Sequence, residues 1–332
     1  MSTDIKVLEC IMALRLDINI WSARKKLTPS DFGTVNLPPE KLASLGSKKI
    51  CNPKELRIFG TLKSRAVSLL EKAGVRFLGG WAIPEARIQD INSELELIAQ
   101  DFIHEKETFL ARYDEAVMEW VQNNPGWESL IAGSTVSADY VRSRLGFKWQ
   151  MFKVVPPRGS KKALTATGLV DEVENLGSTL FGEIAKTASD TWHQSYVGRT
   201  EVTRKALSPL RSIHRKLAGL SFVEPRVAPV VDLLDTALNK ISSKGKIAGA
   251  ELVMLQGLVS LLSDPVALVE HGQKIIEGQT ADGILQGLLR QSVMPVVEAA
   301  SDMDIGDDIM TNIDALIPAS PTETQLDSLG LW

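Results

Sequence analysis

The stretch that decides the fold is residues 84–125, PEARIQDINSELELIAQDFIHEKETFLARYDEAVMEWVQNNP, which has no proline or glycine between its two terminal prolines. Its apolar residues recur every three or four positions, as on one face of a helix: Ile88, Ile91, Leu95, Ile98, Phe102, Phe109, Leu110, Tyr113, Val117 and Trp120. The members up to Phe109 fit a heptad frame that slips near Glu105, as where a coiled coil changes partner. We predict a helix of about 40 residues, roughly 60 Å long.

The same spacing returns after Gly168 and predicts a second long helix. The residues of its apolar face are Leu169, Val173, Leu176, Leu180, Ile184, Ala188, Trp192, Val202, Ala206, Leu210, Ile213 and Leu217. Pro209 removes one backbone donor, so we expect it to kink or interrupt this helix. The predicted fold is therefore mainly α: the two long helices form an antiparallel, coiled-coil-like stalk, and each apolar stripe is covered by the other or by another subunit.

A small antiparallel β element and a C-terminal bundle of shorter helices complete the predicted fold. About three strands are expected from alternation and from short apolar runs, at residues 14–21, 75–81 and 147–155. The shorter helices are predicted at residues 227–242, 247–262, 265–276 and 281–299. The predicted domain division is 1–83 packing with 137–160, a stalk over 84–220 with an intervening β and loop insert, a helical bundle over 225–299, and an acidic, flexible tail over 300–332.

The composition is that of an ordinary folded protein: 332 residues, 44% hydrophobic and 23% charged, with 37 basic against 41 acidic residues. This near balance excludes a global polyanion-binding signal. Cys10 and Cys51 have no metal-ligand spacing and are interpreted as two buried thiols in a reducing compartment. No apolar run approaches the roughly 20 residues of a membrane span, and charges interrupt residues 1–17, where an export signal would be apolar. We expect a cytoplasmic location.

Motifs for catalysis, metals and cofactors are incomplete or absent in the sequence. His104 begins HEKE without the second histidine of a zinc-binding helix. Gly46-Ser47-Lys48 resembles the end of a phosphate-binding loop, but the earlier glycine and the following hydroxyl are missing. No G-x-S-x-G nucleophile elbow occurs. We therefore expect no enzyme activity, no metal and no cofactor.

Charge is segregated along the chain, and two basic regions result. Residues 1–83 hold 14 basic and 7 acidic residues, whereas residues 84–123 hold 3 basic and 10 acidic ones. Residues 141–162 hold seven basic residues and no acidic one. The candidate binding residues of the first region are Arg24, Lys25, Lys26, Lys48 and Lys49. Those of the second region are Arg142, Arg144, Lys148, Trp149, Lys153, Arg158, Lys161 and Lys162.

Three interpretations of the basic regions stay open. With Phe147, Trp149 and Phe152, the second region has the pattern of a single-stranded nucleic-acid platform, in which cations hold phosphates and rings stack on bases. In the second interpretation, strand alternation places Phe147, Trp149 and Met151 on the core side while the lysines are solvated. In the third, the basic regions pair with the acidic helix of this chain or of a neighbouring copy.

The composition changes again from Ser301 onward. The segment is rich in aspartate, and no lysine or arginine follows Arg290, which predicts a flexible tail. Its last residues are nevertheless apolar: Leu326, Leu329, Leu331 and Trp332. We predict that residues 300–332 dock onto a partner, with Trp332 as the aromatic anchor.

Three segments carry a resemblance to a known family: WSARKKL at 21–27, LGSKK at 45–49 and FLGGWAIP at 77–84. Over roughly residues 10–220 the chain resembles an uncharacterised bacterial family encoded on conjugative elements, plasmids and phages. The signature residues are Trp21, Gly79, Gly80, Trp81 and Pro84. Genes of that family often lie beside those for a MoxR-type AAA ATPase and a von Willebrand A-domain protein. The resemblance therefore implies a multiprotein assembly, but it transfers no catalytic residue.

These observations together predict a non-enzymatic structural or interaction protein that acts in a multiprotein assembly of a mobile genetic element. Its expected partners are proteins, including the AAA ATPase, the von Willebrand A-domain protein or a second copy of the chain. The first alternative is single-stranded DNA or RNA binding by residues 142–162. The second alternative is a helical protein that changes shape and acts on membranes.

Overall fold

A four-stranded antiparallel sheet and two short ribbons lie among helices in the computed structural model, which describes residues 3–33, 37–39, 41–155 and 164–293. The strands are β1 Ile11–Asn19, β2 Arg24–Lys26, β3 Ser47–Lys49, β4 Val75–Phe77, β5 Gly80–Pro84, β6 Gly146–Phe152, β7 Glu201–Val202 and β8 Ile247–Ala248. The helices are α1 Thr3–Cys10, α2 Arg57–Ala73, α3 Ile88–Ala111, α4 Tyr113–Gln122, α5 Glu128–Ala132, α6 Ala138–Arg144, α7 Leu164–Glu174, α8 Leu176–Thr191, α9 Leu207–Gly219, α10 Val227–Asn239, α11 Gly249–Leu262, α12 Pro265–Ile276 and α13 Ala281–Val293. Tighter 3₁₀ turns span Pro29–Phe32, Pro53–Leu56, Glu85–Arg87 and Arg204–Ala206, and a π turn spans Trp192–Tyr196. The protein is mainly helical with small antiparallel sheets, as predicted.

The four-stranded sheet has the order β4-β5-β1-β6, and every neighbouring pair is antiparallel. β1 is long enough to pair with both β5 and β6, and it places Asp17 opposite Lys148. The alternation predicted for its residues is confirmed: Leu14 is buried, Leu16 and Ile18 pack against the core, and the residues between them are exposed.

The stretch 75–81, predicted as one strand, contains the turn of a hairpin formed by β4 and β5. Leu78 and Gly79 form its two-residue loop with φ values of 47° and 73°, as a type I′ hairpin turn requires. At Gly80 a Cβ atom would lie 2.2 Å from the carbonyl oxygen of Leu14. Only glycine permits this contact between β5 and β1.

Each face of the sheet belongs to a different hydrophobic core. On one face Ala13, Phe77 and Ala82 join a core that includes α1 and helices α7 to α13. On the other face Leu14 and Ile83 join a core built by α2, α3, α4 and β6. Successive residues of a strand point to opposite sides, so the neighbours Ala13 and Leu14 are buried in different cores.

The two long helices of the predicted stalk are not evident among the described residues. The first is divided into α3 and α4 at Arg112, whose φ of −109° and ψ of 10° depart from helical geometry. The second is divided at Asn175 and again after Thr191, and Pro209 lies in the first turn of α9, where a missing donor is tolerated. The apolar stripe of α3 packs against α2 and β6. The repeat that suggested a coiled coil therefore serves packing within this chain.

The C-terminal helices agree with the prediction. α10, α11 and α12 fall inside the predicted ranges, and α13 occupies 281–293, while residues 294–299 lie outside the described residues. In the described ranges no single helix is long and apolar enough to cross a membrane. α11 and α12 meet the length and composition criteria only as a pair, and a bend of 107° separates them.

A buried lysine joins the two cores. Lys216 on α9 donates to Glu183 on α8 over 2.6 Å and to the carbonyl oxygen of Glu71 on α2 over 2.7 Å. Glu183 also accepts a hydrogen bond from the backbone N–H of Arg76 in β4 over 2.9 Å. The Lys216 side chain is 8% exposed, so removal of its acceptors would leave a charge without water or a partner.

Candidate functional site

The two basic triplets of the N-terminal region come together as a ribbon. β2 pairs antiparallel with β3, with Arg24 opposite Lys49 and Lys25 opposite Lys48. This pair of strands is termed the basic ribbon. Directly opposite residues of an antiparallel pair project to the same face, and alternate residues share a face. Arg24, Lys26 and Lys49 therefore lie on one face of the ribbon.

The base of the ribbon is anchored in the core of α2, α3 and α4. The backbone N–H of Ile50 donates to the carbonyl oxygen of Ala23 over 2.9 Å. The indole N–H of Trp120 on α4 donates to the carbonyl oxygen of Lys49 over 3.1 Å. Ala23 is buried with a φ of 51°, a conformation that residues with a side chain adopt only where their surroundings impose it. The signature residue Trp21 is buried in the same core, so the ribbon is held in a fixed direction.

One lysine of the ribbon is used within the chain. Lys48 Nζ lies 2.5 Å from Asp31 Oδ1, and the two side chains are 10% and 13% exposed. Asp31 Oδ2 also accepts the backbone N–H of Thr28 over 2.7 Å. The hydrogen bond from Lys48 and then that from Thr28 hold the pKa of the Asp31 carboxyl below its usual range. This ion pair fastens the turn of residues 28–32 to the ribbon.

The other four cations of the ribbon, Arg24, Lys25, Lys26 and Lys49, are exposed. None of them forms an ion pair with any residue that the structure describes. Like charges directly opposite each other destabilise an antiparallel pair, and Arg24 and Lys49 are such a pair. The face with Arg24, Lys26 and Lys49 therefore carries a repulsion that an external anion would relieve.

The second basic region presents the rings of Phe147 and Trp149 to the core, whereas Phe152 is 43% exposed. Residues 142–153, termed the basic strip, comprise the end of α6 and all of β6. The ring centroids of Phe147 and Phe102 are 5.6 Å apart, and the Trp149 indole N–H donates to Asn92 Oδ1 over 3.0 Å. Phe147 and Trp149 are half-buried against the core. This is the arrangement of the second interpretation, and it leaves neither ring exposed as a platform for bases.

Two cations of the basic strip pair with the acidic region of residues 84–123. Arg142 Nη1 lies 2.7 Å from Glu107 on α3. Lys153 Nζ lies 2.7 Å from Glu85 and donates to a backbone carbonyl of α1 over 2.5 Å. Basic residues therefore pair with acidic residues of the same chain here, as in the third interpretation.

The remaining predicted site residues are dispersed. The Arg144 guanidinium lies 5.1 Å from the ring centroid of Tyr140, and Lys148 is exposed opposite Asp17 on β1. Several predicted site residues lie outside the described residues: Arg158, Lys161, Lys162, Leu326, Leu329, Leu331 and Trp332. The structure thus brings together the first basic region, and it does not assemble the described residues of the second region into one exposed surface.

Metal ligands and thiols are the remaining chemical groups. In the part of the chain that the structure describes, no three or more His, Cys, Asp and Glu residues are grouped to hold a metal ion. Burial, and then the charge of Glu55, raise the pKa of the Cys51 thiol to about 11. Cys51 is therefore protonated at neutral pH, and a protonated thiol is a poor nucleophile. Cys10 is exposed.

Sequence reasoning missed two residues that shape the ribbon. Asp31 binds Lys48 from 17 positions away, and Trp120 binds the Lys49 carbonyl from 71 positions away. Neither partnership has a local sequence signal, because each depends on how distant segments pack.

The comparisons with known proteins give a family. Residues 8–264 match the model of a family described as "Protein of unknown function (DUF3150)". The chain belongs to the DUF3150 family. The basic ribbon, the basic strip and the five signature residues all lie inside the matched range. No curated protein and no solved structure matches the chain. The family description names no activity, so the site is interpreted from its own chemistry.

Proposed function

We propose that this member of the DUF3150 family is a non-enzymatic interaction protein that binds an acidic surface of a protein partner through the basic ribbon. The observation that carries the proposal is the ribbon face with Arg24, Lys26 and Lys49, which has no carboxylate partner among the described residues. An acidic surface supplies the missing counter-charge and relieves the repulsion between Arg24 and Lys49. The anchored base of the ribbon limits the entropy that binding removes.

A folded acidic surface fits the ribbon better than a nucleic-acid strand does. Proteins that hold single strands combine a cationic groove along the backbone with aromatic rings that stack on bases. The rings of Phe147 and Trp149 are engaged in the core instead. The whole chain has a formal net charge of −4, which opposes the long-range approach of a polyanion. A local contact with an acidic protein surface therefore fits the ribbon better than an extended polyanion does.

The family resemblance supports placing this contact in a multiprotein assembly of a mobile genetic element. The MoxR-type AAA ATPase and the von Willebrand A-domain protein that the resemblance implies are the first partners to test. Residues 300–332 are a second proposed docking element, with Trp332 as its anchor. Deleting them should leave folding intact and reduce partner capture, whereas undiminished capture would exclude that role.

The test of the ribbon is binding of each purified candidate partner to the full chain and to a triple variant. Arg24→Glu, Lys26→Glu and Lys49→Glu together reverse the charge of one ribbon face. If each position contributes about 1 kcal/mol, the affinity falls roughly 100-fold. The matched control is Lys63→Glu, Lys186→Glu and Lys244→Glu, three exposed lysines that form no ion pair with a described residue. Both variants change the net charge equally.

The outcomes separate the proposed partner from nucleic acid. Binding that survives nuclease treatment, weakens with salt and is lost only in the ribbon variant supports an acidic protein partner. Equal binding by the two triple variants contradicts a role for the ribbon. Capture that nuclease abolishes, with a steep salt dependence, assigns the ribbon to nucleic acid instead.

A further inference from the structure

A cleft between three helices is large enough to hold a small molecule and shares no residue with the basic ribbon. It lies between α2, the start of α3 and α9, with a volume of about 330 Å³. Small-molecule sites usually have volumes of roughly 300–1,000 Å³. Its cationic and hydroxyl side chains come from α2, from the 3₁₀ turn before α3 and from α9: Arg65, Ser68, Lys72, Arg87, Ser212 and Arg215.

Helical spacing explains how these residues meet. Arg65, Ser68 and Lys72 are separated by three and four positions, so they share one face of α2. Ser212 and Arg215 are three positions apart on α9 and likewise share a face. These residues do not form a motif in the sequence, because they are spread over about 150 positions.

The cations of the cleft are only partly neutralised. At one end Arg65 binds Asp101 over 2.9 Å. Arg87 has a long contact of 3.9 Å with Asp90. Neither Lys72 nor Arg215 forms an ion pair with a described residue. Lys72 and Arg215 are both exposed, so the cleft presents unpaired positive charge to solvent.

The unpaired cations lie at the same end of the cleft. Lys216 donates to the carbonyl oxygen of Glu71 over 2.7 Å, and these two residues directly adjoin Arg215 and Lys72 in the sequence. Arg65 is seven positions from Lys72 on α2, which is two helical turns or about 10 Å. The end that holds Lys72 and Arg215 is thus separate from the neutralised Arg65–Asp101 pair.

The rest of the lining is compatible with an organic ligand. Leu69, Ile91 and Ile98 contribute apolar surface. Glu94 is the carboxylate among the described residues that line the cleft. Glu94 forms no ion pair with a described residue, so it does not neutralise Lys72, Arg87 or Arg215.

We propose that this cleft binds a small phosphorylated molecule, with its phosphate between Lys72, Arg87 and Arg215. Arginine matches the geometry of phosphate oxygens with its planar fork, and lysine adds a compact charge. The hydroxyls of Ser68 and Ser212 supply neutral donors, and the apolar residues contact the organic part of the ligand. The proposal concerns a ligand site and does not depend on the partner that the basic ribbon binds.

The experiment is calorimetric titration of the full chain at low ionic strength with ATP, inorganic pyrophosphate and adenosine. ATP and pyrophosphate should bind, and adenosine should bind at least about tenfold more weakly, because the phosphate supplies the charge-assisted hydrogen bonds. The double variant Lys72→Ala with Arg215→Ala should lower the ATP affinity by about tenfold or more.

Matched controls separate this site from general charge effects and from the proposed function. Lys63 lies nine positions before Lys72 on α2, which places it about half a turn away on the opposite face. Lys63→Ala with Lys186→Ala removes the same charge and should leave ATP binding unchanged. The ribbon variant should also bind ATP normally, so the two proposals fail independently. Lys72→Gln and Arg215→Gln, introduced singly, provide milder variants, and thermal melting checks that every variant is folded.

Three results would overturn the proposal. The first is no binding of ATP or pyrophosphate at millimolar concentration. The second is an equal loss of affinity in the Lys63 and Lys186 control. The third is tighter binding of a single-stranded oligonucleotide than of ATP through Lys72 and Arg215, which would assign the cleft to a nucleic-acid backbone.

Discussion

The basic ribbon and the basic strip are similar in composition and different in surroundings. In the strip, Arg142 and Lys153 are paired with carboxylates of the acidic region. In the ribbon, Lys48 is the one cation with such a partner among the described residues, while Arg24 and Lys49 stand opposite each other. The strip packs against the acidic helix α3, whereas the ribbon projects from a core that holds its backbone through hydrogen bonds. The charge available to a partner therefore depends on how many lysines and arginines lack a carboxylate neighbour. It does not follow from the number of lysines and arginines in the segment.

The largest expected effect concerns the inward rings of the strip. Trp149→Ala removes half-buried packing and the hydrogen bond to Asn92. We expect the free energy of unfolding to fall by about 3 kcal/mol, measured by urea denaturation. Phe152→Ala, on the exposed face of the same strand, should change it by less than about 0.5 kcal/mol. Equal losses in the two variants would contradict the inward placement of Trp149.

Within the ribbon, two adjacent lysines should behave oppositely. Lys48→Ala breaks the ion pair with Asp31 and should lower the melting temperature. Lys49→Ala removes a charge directly opposite Arg24, so the melting temperature should stay the same or rise slightly. Differential scanning calorimetry at low salt measures both. A lower melting temperature for Lys49→Ala than for Lys48→Ala would mean that the ribbon charges are paired differently.

A smaller effect should appear in the way the melting temperature depends on pH, through the Asp31 carboxyl that pairs with the ribbon. The pKa of Asp31 is lowered from its ordinary value of 3.8, first by Lys48 and then by Thr28. A depressed carboxyl pKa stabilises the fold above the ordinary value, and this contribution is lost as the pH falls through the folded-state pKa. The difference in melting temperature between the native protein and Asp31→Asn should therefore be full at pH 6 and shrink below about pH 4. A difference that does not change with pH would exclude this ion pair as its source.

The smallest effect is expected for the paired cations of the strip. Arg142 and Glu107 are each about half exposed, and exposed pairs contribute roughly 0–1 kcal/mol. Arg142→Ala should therefore lower the free energy of unfolding by less than about 1 kcal/mol, and high salt should reduce the difference. An effect comparable to that of Trp149→Ala would show that this pair holds the strip in place.

Local patterns in the sequence predicted much of the secondary structure. The alternation in β1 and the spacing in α10, α11 and α12 each depend on neighbouring residues, so a window of about ten residues is enough to detect them. The hairpin turn was missed because Leu78 adopts a positive φ, which is uncommon for a residue with a side chain.

The packing partners of α3 and the composition of the two candidate sites could not be predicted from local sequence patterns. A stripe at three- and four-residue spacing indicates a buried face but not what covers it, and here α2 and β6 cover α3. The pairing of Arg24 with Lys49 joins segments 25 positions apart. The cleft combines Lys72 with Arg215, which only the packing of α9 against α2 brings together. Long-range packing therefore determines both surfaces that we propose to be functional.

The two-sided burial of the central sheet has a consequence for how the protein unfolds. Ala13 and Leu14 are adjacent on one strand and are buried by different groups of helices. Loss of either group would expose one apolar face of the sheet to water, which is unfavourable by about 25 cal/mol for each Å² of apolar surface. A fragment that ends at residue 155 would expose Phe77 and Ala82 in this way. The two cores should therefore melt in a single cooperative transition and should not behave as separable folding units.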